Sequence, residues 1–268
     1  MSSFNKINIP VYIISLNGKT SFDFSNYFSN VTIVPAINTL NDNPKDLYSK
    51  GVITTRVLLD LENGRKDHWA FPGKGGIGLY LTYKKIIESL QNVKENVLIC
   101  EQDCIIKNID EFARKIHLLN NFKNFDCAIF GGSYYKNVNA INEINNYGSL
   151  DSKILYYSEL DSFNENSEFI NYKNIFYFLH SVVWTPRGIK KIHPLLSRPV
   201  DVQLDAFFSN LCKNDMLNLL MEKDKTTEQD IHKSTLNNDN KCYICDMKPQ
   251  MNKIKTDENK GINYSFLN

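Results

Sequence analysis

Apolar residues fall along this chain in short runs alternating with stripes of helical period. Ile9–Leu16, IPVYIISL, is a continuous apolar run stopped by Asn17-Gly18. That pattern predicts a buried first strand closed by a turn. Val31–Ile37, VTIVPAI, is β-branched and broken at Pro35, and predicts a second strand. The polar stretch Asn38–Lys74 carries turn signals at Asn43-Pro44, Asn63-Gly64 and Pro72-Gly73. A loop this long in a compact domain is functional or hides a helix, for which Thr55–Leu61 is the candidate.

From Gly76 the period changes. Tyr80, Tyr83, Ile87 and Leu90 recur at helical spacing, Leu79 and Ile86 widen the stripe, and Lys84, Lys85 and Glu88 fall opposite. A strand at VLIC, Val97–Cys100, follows, then a helix over Asp110–Leu119 with acids in its first turn. Phe125–Phe130 predicts a further strand, closed by Gly131-Gly132. Strand and helix alternating at this spacing imply an α/β fold with a mostly parallel sheet wrapped by helices. Ser133–Lys173, rich in Tyr, Asn and Ser, predicts short antiparallel pieces and a mobile loop. Ile175–Trp184 is strand-like, Thr185-Pro186 opens a helix with a capping hydroxyl and an N-terminal Pro, and Val202–Leu211 predicts another helix. The charges and amides of Glu222–Lys241 suggest a flexible insertion. Residues 1–221 are thus expected to form one domain, with 242–268 a terminal segment packed on it or partly disordered.

Composition narrows the function classes. With 268 residues and 42% hydrophobic content the chain can fill a sizeable core. Lys plus Arg number 31 against 30 for Asp plus Glu, so no global field recruits nucleic acid. No apolar run approaches a membrane-spanning length, and Met1–Pro10 lacks a signal-like pattern, so a cytoplasmic protein without a transmembrane segment is expected, a secretory lumen being the alternative. The six cysteines are scattered and expected to be reduced; Cys242 and Cys245 have CxxC spacing but no partner pair for zinc.

The segment with the clearest chemistry is VLICEQDCII. On a strand, Glu101 and Asp103 would share a face while Gln102 pointed away. Two carboxylates at the carboxyl end of a parallel strand sit where open α/β sheets bind ligands, and hard cations such as Mn²⁺ or Mg²⁺ take oxygen donors. Acids after a strand also occur as solvated loop residues.

GGIGLYLTYKKI, VLICEQDCII, FDCAIFGGSY and FLHSVVWTPRGIKKI…SRPVDVQLDAFF stand in an order and spacing that resemble glycosyltransferase family 25, the lipopolysaccharide and collagen-galactosyltransferase type. VYIISLNGK and VTIVPAI resemble its first two strand segments, and the likeness runs from Pro10 to Leu211. It implies a GT-A-type nucleotide-diphospho-sugar transferase fold, with a Rossmann-like central sheet. The implied activity is metal-dependent, inverting transfer of a hexose, galactose or glucose, from a UDP-sugar. The acceptor would be a hydroxyl on a glycan, lipid-linked saccharide or hydroxylated protein.

The resemblance also implies site roles. Glu101 and Asp103 would hold Mn²⁺ or Mg²⁺, and Gln102, in the centre of the triplet, would lie on the donor side. Ile14, Ser15 and Leu16 would flank the base, Lys74 or Lys84 would face the diphosphate, and Gly76 would allow close backbone approach. His180 matches the family's H-x-y-l-v-T-x-x-G pattern as a donor-site residue or third ligand, though an imidazole in an apolar strand is also an ordinary core residue. Asp205 is the expected base or acceptor-binding group, with Asp201 one helical turn before it. Trp69, in a loop, is a candidate sugar platform. The chain departs from the family at Gln102, where an acid is usual, and at Thr82-Tyr83, where Ser-His is usual. Two other readings follow from those departures and from the layout: a decayed donor site used for binding, and a sugar nucleotidyltransferase.

Overall fold

The computed structural model describes residues 6–63, 71, 73–132, 168–173, 176 and 179–230. Its centre is a seven-stranded sheet in the order β2-β1-β3-β7-β5-β8-β6, with a separate two-stranded sheet of β4 and β9. The strands are β1 (Ile7–Ser15), β2 (Phe28–Pro35), β3 (Val97–Glu101), β4 (Cys104–Ile106), β5 (Cys127–Ile129), β6 (Phe169–Asn171), β7 (Ser181–Trp184), β8 (Leu219–Glu222) and β9 (Thr227–Gln229). β1 runs parallel to β2 and β3, and β5 parallel to β8, whereas β7 runs antiparallel between β3 and β5 and β6 antiparallel on the edge. The sheet is therefore mixed, with five of its seven strands, all but β6 and β7, running in one direction.

The helices are α1 (Pro44–Ser49), α2 (Thr55–Asn63), α3 (Lys74–Ser89), α4 (Ile109–Leu119), α5 (Pro186–Leu196) and α6 (Leu204–Lys213). One face of the sheet (Val97, Ile99, Val182, Trp184) packs under α3, α5 and α6 through Tyr83, Ile87, Ile189 and Phe208. The other face (Leu98, Cys100, Ala128, Val183) packs under α4 through Phe112, Ile116 and Leu119. Trp184 belongs to the first core, where its Nε1 donates to Tyr83 Oη at 2.5 Å.

Local signals explain most boundaries. The Asn43-Pro44 turn signal proves to be a helix start: the Asn43 side chain accepts from Lys45 N, and Pro44 fills the first turn of α1. Thr185 caps α5 by accepting from Gly188 N, as its sequence foretold. α2 extends the expected Thr55–Leu61 segment to Asn63. α3 begins two residues before the predicted Gly76, and Pro35 ends β2 rather than interrupting it.

The flexible insertion expected from residue 222 is corrected where the chain is described. Glu222 closes β8 with no exposed surface, and Thr227–Gln229 forms β9 against β4. Polar composition misled there because the polar groups are partnered rather than solvated. Glu222 accepts from Gly131 N at 2.6 Å and Thr226 N at 3.0 Å, and pairs with Lys115 at 3.3 Å. Trp69, Cys242, Cys245 and most of Ser133–Lys173 lie outside the described residues. The four described cysteines, Cys100, Cys104, Cys127 and Cys212, are free and buried. Among the described residues no helix is long and apolar enough to cross a membrane.

Candidate functional site

From β1 the chain first moves outward to β2, then returns through α3 to place β3 on the opposite side of β1. Crossovers that diverge in this way leave a crevice at the carboxyl ends of the two central strands. A small solvent-open cleft lies there. Its walls are Ile14 and Leu16 at the end of β1, Ala36–Leu40 after β2, Gly75 and Leu79 on α3, and Glu101, Gln102 and Asp103 after β3.

The wall after β2 is pinned to α3. Thr82 Oγ1 accepts from Ile37 N at 2.8 Å and donates to Gly78 O at 2.7 Å, while Thr39 Oγ1 donates to Lys74 O at 2.6 Å. Close approach depends on Gly78, where an added Cβ would stand 2.1 Å from Ile37 O. Gly78→Ala is expected to push this wall away, costing about 1–3 kcal/mol of stability, the usual range for overpacking. A thermal midpoint equal to that of the wild type would refute this account of the wall. Thr82 and Tyr83 thus have structural work: the hydroxyl holds the wall, and the phenol lies in the core against Trp184.

The acids are brought together, though not by strand alternation. β3 ends at Glu101, and Gln102-Asp103 form a turn into β4. Gln102 consequently does not point away. Its Oε1 accepts from Leu16 N at 2.9 Å and lies 3.0 Å from Ser15 Oγ, so this side chain ties the ends of β1 and β3 together. Ser15 is buried by that contact, while Ile14 and Leu16 face the cleft.

Asp103 is only 3% exposed. Its Oδ2 accepts from Gln229 Nε2 at 2.9 Å, and its Oδ1 is buried without a hydrogen-bond partner. Burial pushes its carboxyl up to about 6, against the opposing hydrogen bond from Gln229. Glu101 is raised well above the ordinary carboxylate range, first by burial and then by the charges of Asp103 and Asp205. Asp205, in the first turn of α6, is pushed up to about 7 by burial, partly offset by the N–H of Ala206. Burial, reinforced by the neighbouring Asp103 and Asp205, thus disfavours a negative charge on Glu101.

The expected helical pairing of Asp201 with Asp205 does not form. α6 starts at Leu204, leaving Asp201 exposed in the preceding segment, where Thr54 Oγ1 donates to it at 2.7 Å. The lysines make contacts of their own. Lys74 Nζ donates to Asp42 O at 3.0 Å, and Lys84, ten residues along α3, reaches Ser197 O at 3.3 Å. Gly76 packs on Phe71, and Gly75 is the glycine that reaches the cleft. His180 is buried, with Nε2 3.2 Å from Thr227 Oγ1, and burial followed by the Lys225 charge lowers it to about 3. It is a neutral imidazole beside β9, outside the cleft lining.

The donor set at Glu101 and Asp103 suits a hard divalent cation: oxygen donors only, one of them a buried oxygen without a partner. Among the described residues no group of three or more His, Cys, Asp or Glu side chains is arranged to hold an ion. Two carboxylates alone match the habit of Mg²⁺-like ions, which complete their shell with water and ligand phosphates. The N-terminus of α3 also opens at Gly75, with no side chain capping it at Gly73, and helix N-termini attract anions. Gln229 is the contributor that sequence reasoning missed, since it lies in a stretch whose polarity suggested an exposed loop.

No family model matches the chain, and no curated protein matches it. Among solved structures, the chain is similar to mouse xyloside xylosyltransferase 1 in its apo form, with a TM-score of 0.32 and 8% identity, over 79% of this chain and 80% of that one. A likeness that distant adds nothing to what the geometry carries.

Proposed function

We propose that the cleft binds a nucleotide-diphospho-sugar together with Mn²⁺ or Mg²⁺, and that the protein is a GT-A-type glycosyltransferase. The observation that supports this most is the unpartnered Oδ1 of buried Asp103 beside Glu101, in a cleft at the switch point of the sheet. Collinear segments resembling glycosyltransferase family 25 agree with it. In this reading Ile14 and the exposed Leu16 offer an apolar wall to the nucleobase, and the α3 N-terminus at Gly75 faces the diphosphate. Glu101 and Asp103 would hold the cation, which when bound supplies Lewis-acid neutralisation of the departing diphosphate. Asp205, held near neutrality and close enough to Glu101 to act on its charge, is the base for the acceptor hydroxyl. The donor is a UDP-hexose and the acceptor a sugar or hydroxylated-protein hydroxyl, with inversion, on the strength of the resemblance alone.

A thermal-shift panel of UDP, GDP and CMP with and without Mn²⁺ tests the reading. At a hundredfold excess over its dissociation constant, a ligand of the folded state adds about 2.7 kcal/mol. UDP with Mn²⁺ is expected to raise the midpoint by about 5–10 °C, given the usual shift per kcal/mol for chains of this size. Asp103→Ala should remove that shift together with slow UDP-sugar hydrolysis. A protein unmoved by every nucleotide would have no donor site. Pyrophosphate release from a nucleoside triphosphate and a sugar phosphate would point to a nucleotidyltransferase instead.

A further inference from the structure

We infer that Gln229 is a positioning residue for the cation subsite, engaging one oxygen of Asp103 so that the other alone faces the ion. This rests on the nucleotide-sugar reading above. Two contacts from the last residue of β9 and the residue after it grip Asp103: Asp230 N donates to its backbone carbonyl at 2.8 Å, and Gln229 Nε2 donates to Oδ2 at 2.9 Å. The register behind them is set by β4, where Cys104 pairs with Gln229 and Ile106 with Thr227. The turn leading into β9 is fixed in turn by a buried ion pair. Glu222 takes Thr226 N and Thr226 Oγ1, and Lys115 Nζ donates to Asp224 O at 2.5 Å. The Asp103 carboxylate thus cannot rotate without breaking a bond delivered from 126 residues away.

An amide suits this role chemically. A lysine or arginine in its place would neutralise Asp103 and repel the ion, whereas an amide orients the carboxylate and leaves its charge in place. With Oδ2 engaged, Oδ1 is the one oxygen of this cleft-lining residue left without a partner. Small ions that demand near-octahedral geometry accept a single carboxylate oxygen, while Ca²⁺ readily takes both. Gln229 therefore biases the subsite toward Mn²⁺ or Mg²⁺ and against Ca²⁺. Partners that orient metal ligands in this way are typically worth about 10–100-fold in ion affinity.

The test is ion binding by the full chain in the presence of UDP, with Mn²⁺ followed by the loss of its free-ion electron paramagnetic resonance signal and Ca²⁺ by calorimetry. Gln229→Met removes the donor at similar size, and Gln229→Asn keeps an amide too short to reach. Each is expected to weaken Mn²⁺ by roughly tenfold or more. Ca²⁺ binding should hold or strengthen, and the ion-free thermal midpoint should fall only by the few degrees that losing one buried hydrogen bond costs. Thr227→Val, a change in the same strand that leaves Gln229 in place, should preserve the wild-type ion preference. Mn²⁺ and Ca²⁺ falling in parallel, an unchanged Mn²⁺ affinity, or the same altered preference in Thr227→Val would each overturn the role of Gln229 while leaving the donor site standing. A folded wild type that binds no Mn²⁺ with UDP would remove the nucleotide-sugar reading, and this inference with it.

Discussion

Lys115→Met is expected to lower stability by about 3–5 kcal/mol, the usual result of stripping one partner from a buried ion pair. Lys115 is 2% exposed and Glu222 fully buried, 3.3 Å apart. Without the ammonium, Glu222 keeps Gly131 N, Thr226 N and Thr226 Oγ1, but its charge has lost the buried cation. At a few degrees per kcal/mol for a chain of this length, the thermal midpoint should fall by about 10 °C. Adding Glu222→Gln should recover part of the loss, because a Gln amide can donate to Thr226 Oγ1, which is free to turn and accept. A cycle of the two single variants and the double variant measures that coupling. A cost below about 1 kcal/mol for Lys115→Met would show that the pair is not a buried ionic contact.

Asp103→Asn should do the opposite to stability while abolishing ion-dependent nucleotide binding. The carboxyl stands at about 6 in the folded protein against an ordinary 3.8. The folded state therefore binds this proton more tightly than the unfolded chain, and ionising the group costs the fold roughly 3 kcal/mol. That cost is absent below the ordinary value, grows as pH rises through the interval, and is fully present above about 6. Asparagine carries no charge to ionise and can still accept from Gln229. At pH 7.5 without metal its midpoint should exceed that of the wild type by several degrees, and below pH 4 the two should converge. Denaturation across that pH range decides the matter: an Asn variant less stable than the wild type at pH 7.5 would mean that Asp103 is satisfied by contacts other than those described. A site that is less stable with its charge than without it is poised for a cation, which fits the stability that functional sites commonly give up.

Much of the frame was legible because the signals are local. The apolar runs of β1 and β3, the helical stripe of α3 and the Thr185-Pro186 cap each depend on residues within a few positions of one another, and all appear within two residues of where the pattern put them. The acids Glu101 and Asp103 were also found, since their place after a buried strand is itself a local feature. Their geometry was not, because β3 stops one residue after Cys100 and the alternation rule stops with it.

By itself, then, the sequence determined the alternation of strands and helices, the two faces of the core, and the carboxylates at the end of β3. Tertiary structure alone decided the antiparallel insertion of β7 between β3 and β5, the separation of Asp201 from Asp205, and the approach of Asp205 to Glu101. It also turned Gln102 onto Ser15, 87 residues away, and brought Gln229 onto Asp103. Period and capping are set by neighbours along the chain, whereas a hydrogen-bond partner for a polar side chain is chosen by whatever the packed core carries to within about 3 Å of it.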